Sequence, residues 1–171
     1  MAEILDSGER REFDTGAVRD IAEGKGRCDL LPLDVIAQLV DDIVLSEIES
    51  YRQTGEVIYL YKALRWFIKK RYESPADAVL ELSKHFEDGA KKYGEYNWQK
   101  GLPLSSFVNS GVRHYLKWLR GDEDERHDRA FMWNIVCLIW TKKHRADCTK
   151  DEREDKEKAA ESEKMHRKTY L

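Results

Sequence analysis

The chain has few cysteines, few prolines and no long apolar run, and each shortage excludes something. Cys28, Cys137 and Cys148 are odd in number and far apart, and no Cys-x-x-Cys pair exists. That argues against a disulfide framework and against a zinc knuckle, and it suits a reduced, cytoplasmic setting. The longest apolar run is Phe131–Trp140, interrupted by Asn134, whereas a bilayer span needs about 20 residues. The first fourteen residues show no basic start followed by an apolar stretch, so no secretory leader is expected. Surplus positive charge is missing too: 30 Lys+Arg face 33 Asp+Glu. A broad basic surface for a nucleic-acid polymer is therefore not expected. Neither Gly-x-Ser-x-Gly nor His-Glu-x-x-His occurs, which speaks against covalent nucleophilic catalysis and against that zinc motif.

What is present reads as an all-α protein. Charged residues make up 37% and hydrophobic ones 41%, with 5 Trp, 8 Tyr and 5 Phe to fill a core. At 171 residues the chain suffices for one sizeable domain. Residues 1–33 are polar, hold four of the ten glycines and lack helical periodicity; they read as a loop-rich N-terminal arm. Residues 34–141 read as a bundle of about five helices. Apolar residues from Val35 to Tyr51 recur at spacings of three and four, predicting one amphipathic helix over 34–51 with Asp34 as a possible cap. Glu56–Tyr72 begins with residues of strand propensity, but with no partner strand visible it is read as a helix. Ser74-Pro75-Ala76-Asp77 is a helix start, with Ser capping and Pro at the first helical position. That helix is expected to run to about Tyr93. A glycine-bounded loop over 94–101, a helix over 104–119 ended by Gly121, and a last, most apolar helix over 124–141 follow. Residues 142–171 form a charged tail, expected as an exposed helix or a disordered segment.

Four groups can carry chemistry. In Asp122-Glu123-Asp124-Glu125-Arg126-His127-Asp128 a helix start gathers five carboxylates and an imidazole. On a helix Asp124, His127, Asp128 and Asn134 share one side. Such oxygen ligands suit Mg²⁺ or Mn²⁺, although acidic residues also stabilise a helix N-terminus unaided. Asn134 sits in an apolar helix, where an amide needs a partner. Glu87, Lys91 and Lys92, with Asn97, Trp98 and Lys100 beside Gly94 and Gly101, form the second group. Its carboxylates, lysines and Trp can hold a metal–phosphate group and stack a base, or Glu87 and Lys91 simply pair at i,i+4. Arg113-His114 is the third. Lys25 and Arg27, with Arg19 and Asp20 in the arm, are the fourth. Their Gly24-x-Gly26 is too short for a P-loop, but the cations can meet a triphosphate.

Ordered segments carry a resemblance. They are Arg19-Asp20 with Gly24-Lys25-Gly26-Arg27-Cys28-Asp29-Leu30-Leu31-Pro32, then Gly89-Ala90-Lys91-Lys92-Tyr93-Gly94-x-x-Asn97-Trp98-x-Lys100-Gly101. Arg113-His114-x-x-x-Trp118-x-x-Gly121-Asp122 and Asp124-x-x-His127-x-x-x-x-x-Trp133-Asn134 follow. Together they resemble a phage-rich family, the dATP/dGTP diphosphohydrolase N-terminal domain, related to the MazG-like all-α nucleotide pyrophosphohydrolases. The resemblance implies Mg²⁺- or Mn²⁺-dependent hydrolysis of a purine (deoxy)nucleoside triphosphate to monophosphate and pyrophosphate. It also implies a homodimer or tetramer, in the host cytoplasm if phage-encoded. The residues expected at the metal are Glu87, Asp122, Asp124, His127 and Asp128, with Asp124, His127 and Glu87 catalytic. Lys25, Arg27, Lys91, Lys92 and Arg113 are expected on the substrate's phosphates, Asn97, Trp98 and Asn134 on its base or sugar, and Lys100 and His114 among the substrate-binding residues. The related enzymes' Glu-Glu-x-x-Glu is absent here. That keeps a non-catalytic nucleotide-binding, sequestering protein open as the alternative, and beyond it a structural helical protein. Without the segment Lys142–Lys168 the balance is 20 basic against 25 acidic residues. An acidic body can still hold a triphosphate through recruited metal ions.

Overall fold

A Phe67 side chain with no exposed surface marks the centre of the molecule. Its ring meets Phe131 at 4.6 Å, Trp118 at 4.9 Å, Tyr115 at 5.9 Å and Tyr72 at 6.4 Å, all edge-on. Edge-to-face contacts of this kind add to the burial of large rings. The computed structural model describes residues 8–21 and 23–148. It is an all-α bundle, as expected, with six helices and one small two-stranded ribbon among the described residues. The helices are α1 (Leu33–Leu39), α2 (Ile43–Thr54), α3 (Val57–Arg71), α4 (Pro75–Tyr93), α5 (Leu104–Arg120) and α6 (His127–His144). None of them is long and apolar enough to cross a membrane.

Local chemistry sets most boundaries. Ser74 accepts a hydrogen bond from the Asp77 amide at 3.1 Å and Pro75 follows it, so α4 starts where the sequence indicates. Gly121 ends α5 in the left-handed region, where an L side chain is disfavoured. The hairpin of α5 and α6 is the inner layer. Twelve of the eighteen α6 residues are buried, so the helix is enclosed on nearly every side. Gly111 lets α5 approach closely, since a Cβ there would lie 3.2 Å from Ile135 Cδ1. α2 packs on α3, α1 on α2, and α4 on α6.

The structure corrects four expectations. The helix expected over 34–51 is two helices, because Asp41 takes a positive φ of 50° and Asp42 caps a new start, accepting from Leu45 N at 3.0 Å. Asp34 makes no cap; Pro32 holds that position. The arm is not only loop. Strands β1 (Arg10–Glu12) and β2 (Val18–Asp20) pair antiparallel with Arg11 opposite Arg19. Finally, α6 begins at His127, and 122–126 is irregular. Asp124 therefore does not share a helix face with His127 and Asp128. Of the charged tail, Lys142–His144 completes α6 and a 3-10 turn over Ala146–Cys148 follows; residues 149–171 lie outside the described residues.

Candidate functional site

The arm is stitched to the bundle by polar contacts that its short strands could not supply alone. Asn97 holds β2 as a neighbouring strand would: its Oδ1 accepts from Val18 N and its Nδ2 donates to Val18 O, both at 3.0 Å. Asp20 accepts from Lys92 Nζ and Tyr93 Oη at 2.8 Å each. Burial opposes its ionisation, but these donors outweigh it and hold its pKa below the usual carboxylate range. Cys28 N donates to Asn109 Oδ1 at 2.8 Å and Thr15 Oγ1 to Gly101 O at 2.7 Å. Arg19 reaches furthest. Its Nη2 donates to Asn134 Oδ1 at 3.0 Å, and its guanidinium lies 5.5 Å from the Trp133 ring and 5.7 Å from that of Phe107. Burial lowers its pKa to about 10, which leaves it a cation at neutral pH.

A cavity of about 1080 Å³ lies between the arm, α4, α5 and α6. That is at the upper end of the roughly 300–1,000 Å³ typical of ligand pockets. Arg19, Lys25 and Arg113 bring cations to its wall, Phe86, Trp98 and Trp133 bring rings, and His114 and Glu125 bring donors for a metal. Arg113 donates from Nη2 to Ser110 Oγ at 2.9 Å. Its Nη1 is buried and has no hydrogen-bond partner, an uncommon state for a charged group. Phe86 and Trp98 meet edge-on at 5.4 Å. His85 lies 5.9 Å from Trp133, and burial, then Arg129, pulls its pKa down to about 4.

Beside Arg113, α5 and the start of α6 bring two imidazoles together. His114 Nδ1 lies 3.0 Å from His127 Nδ1 and 3.1 Å from Glu125 Oε1; His127 Nδ1 lies 3.7 Å from the same oxygen. His127 Nε2 is 2.7 Å from Asp124 Oδ1. A carboxylate at Nε2 keeps the proton there and leaves Nδ1 as a lone pair. Burial drives the His114 pKa well below its ordinary value and pushes that of Glu125 up. The hydrogen bonds from Lys117 and His127 hold Asp124 at about 2. Among the described residues, two groups of donor atoms come within 4.8 Å of one another, His114–Glu125–His127 and Asp122–Asp124–His127. Imidazole nitrogens and carboxylate oxygens are the donors that divalent ions take, so the residues fit such an ion.

The remaining expected residues divide. Glu87 reaches the cavity rim but is exposed and paired with Lys91 at 2.6 Å. Asp122 is held by Arg120, with Nε 2.7 Å from its Oδ1. Asp128 is not brought to the imidazoles: it is buried among Arg71, Tyr72 and Arg126, with its Oδ2 3.1 Å from Tyr72 Oη. Arg27 pairs with Asp29 at 2.6 Å, Lys92 with Asp20, and Lys100 Nζ with Gly16 O at 3.1 Å, none of them lining the cavity. Asn97 and Asn134 do line it, yet Asn97 spends both ends of its amide on Val18, and Asn134 donates to Ala130 O while accepting from Arg19.

Glu125, Phe86 and Trp133 line the cavity although the sequence assigned them no site role. A signal for Glu125 existed. Gly121 is the tip of the α5–α6 hairpin, and His114 and His127 stand seven residues before and six after it. Residues at similar distances from a hairpin tip face each other, which brings the turn residue Glu125 to both imidazoles.

Against known protein families, the model described as dATP/dGTP diphosphohydrolase, N-terminal, matches residues 65–153. The match runs from within α3 past the end of α6, and so includes α4, α5 and the imidazole cluster but not the arm. Comparison with curated proteins and with solved structures gave no match.

Proposed function

The chain belongs to the dATP/dGTP diphosphohydrolase N-terminal family, and from that premise we propose that it hydrolyses purine deoxynucleoside triphosphates to the monophosphate and pyrophosphate, using a divalent metal ion. The observation that carries this reading is the convergence of cations, aromatic rings and metal donors on one cavity. The ion would sit at one of the two donor groups that share His127. There it would neutralise phosphate charge and lower the pKa of a bound water.

The chain's own groups do the rest. Arg113 offers its free Nη1 to a phosphate oxygen, and a planar guanidinium suits that oxygen better than a point charge. Lys25 and the fixed charge of Arg19 add positive potential where negative charge accumulates. Trp98, Phe86 and Trp133 offer faces and edges to a purine. Arm residues wall one side of the cavity, and exclusion of water there would strengthen each of these interactions.

Incubation with dGTP and dATP, with and without Mg²⁺ or Mn²⁺, and assay of monophosphate and pyrophosphate test the reading. Metal-dependent product that disappears in Asp124→Asn supports it. Tight binding without product favours the second reading, a protein that sequesters nucleotide. One feature favours that reading: Glu87, Asp122 and Asp124 are each already paired with a Lys or Arg. Neither binding nor turnover leaves a structural helical protein.

A further inference from the structure

We propose that His114, Glu125 and His127 form one divalent-metal centre that takes a late first-row ion, Fe²⁺, Co²⁺ or Zn²⁺, in preference to Mg²⁺, with Asp124 positioning His127 from behind. The assignment rests on the hydrolase reading for the purpose of the ion; the ligand set stands on its own geometry.

Three donor atoms define a triangle with edges of 3.0, 3.1 and 3.7 Å. Neighbouring donors about 2.1 Å from one ion are separated by roughly 3.0 Å in an octahedron and about 3.4 Å in a tetrahedron. The triangle is thus one face of either polyhedron. His114 and Glu125 line the cavity, so the remaining positions open towards the phosphates of a bound nucleotide. The His127 side chain is 1% exposed, and those of His114 and Glu125 are each 15% exposed.

The outer contacts match those of a metal-bound imidazole. Histidine ligands commonly donate their second N–H to a carboxylate, which fixes ring and tautomer. Asp124 stands at His127 Nε2 in that way, at 2.7 Å. Glu125 has only the two imidazoles as ion-pair partners among the described residues.

The competing group is weaker on the same criteria. Asp122 is occupied by the fork of Arg120. Asp124 carries Lys117 at 3.0 Å. Both would have to give up a cation to take an ion, and His127 would have to lose the proton its Nε2 shares with Asp124.

The donor set decides the class of ion. Mg²⁺ prefers an all-oxygen shell and keeps its waters, while imidazole favours later first-row ions. Two nitrogens in three ligands therefore disfavour Mg²⁺.

The full-length protein, stripped of metal by a chelator and free of nucleotide, is titrated with Co²⁺ and followed by its visible d–d absorption and by calorimetry. The expected result is one Co²⁺ per chain with nitrogen-type bands, retained against about a hundredfold excess of Mg²⁺. Glu125→Gln and His114→Ala are expected to weaken Co²⁺ by at least about tenfold, and Asp122→Asn to leave it unchanged. Circular dichroism identifies the variants that are folded. A folded Glu125→Gln or His114→Ala that binds Co²⁺ like the parent overturns the centre, and so does Mg²⁺ competing on equal terms. Co²⁺ bound as expected with no pyrophosphate from dGTP keeps the centre and removes the hydrolase. Full Mg²⁺-dependent turnover in Glu125→Gln removes the centre and keeps the hydrolase.

Discussion

Arg19 donates from Nη2 to Asn134 Oδ1 at 3.0 Å, joining the second strand of the arm to the middle of α6 across 115 positions. Each residue answers the other's difficulty. The amide stands on a buried stretch of helix and needs a donor; the guanidinium is taken from water and needs an acceptor. The charge that results lies on the wall of the cavity.

Arg19→Ala should therefore act on ligand binding more than on the bundle. A hydrogen bond to a charged group is worth about 1.5–3 kcal/mol. Part of that loss will appear as a lower melting temperature. The affinity for dGTP, measured by calorimetry, should fall by about tenfold or more as the cation is lost. Unchanged affinity would mean that the arm plays no part in binding.

Arg113→Met separates binding from stability in the opposite sense. It removes a charged group whose Nη1 is buried without a partner. Melting should stay level or rise, because desolvation of the charge is relieved. The KM for dGTP should rise by about tenfold or more as a phosphate contact is lost. A large drop in stability with KM intact would assign Arg113 to the fold.

Acid should weaken the protein in two stages. His85 is protonated near 6.5 in an unfolded chain but near 4 when folded, because burial and the neighbouring Arg129 oppose its charge. The unfolded state then binds more protons, so stability falls as pH drops from about 6.5 to 4, by up to about 3 kcal/mol. Urea titrations across that range should show the slope, to which buried His114 also contributes, and His85→Gln should reduce it.

The second stage belongs to Asp128. Burial raises its pKa, but the hydrogen bonds and charge of Arg126, with Arg71 beyond, outweigh this and hold it at about 2, below the 3.8 of a free carboxyl. Its contribution is present above 3.8 and is lost as pH falls towards 2, by about 2 kcal/mol. Asp128→Asn should shrink this lower limb, to which the depressed carboxyls of Asp20, Glu81 and Asp124 also contribute, and leave the upper one. An unchanged profile below pH 4 would refute the assignment.

Gly101→Ala should destabilise the protein through backbone and space together. Gly101 has φ of 87°, and a Cβ there would lie 2.5 Å from Cys148 Sγ. A loss of about 1–3 kcal/mol in urea unfolding is expected. Adding Cys148→Ala should recover the steric share only.

Features with a local cause were readable in the sequence. Ser74-Pro75 and Gly121 carry their own boundary chemistry, and the apolar spacing of α5 and α6 survives in the fold. The break at Asp41 was hidden, because the apolar residues on either side stay in one helical register and only the cap by Asp42 interrupts them. The ribbon was hidden as well. β1 is wholly exposed and β2 half-buried, so neither strand alternates, and their pairing depends on Asn97, 79 positions away. The acidic stretch 122–128 drew attention for its charge, yet the fold sends its members to separate partners. Asp122 goes to Arg120, Asp128 to the arginines beside α3, and Glu125 to the imidazoles. Composition can flag such a stretch; only the turn after α5 decides which carboxylate faces inward.

The stitching of the arm also bears on the order of assembly. The ties of its ribbon to the bundle span 72 to 115 positions, whereas the α5–α6 hairpin closes over a few residues beyond Gly121. Distant contacts cost more loop entropy and form late. The ribbon, made before the bundle, is therefore the last to find its place. The bundle matures with one side of the cavity unbuilt, and that wall is completed only when the ribbon arrives.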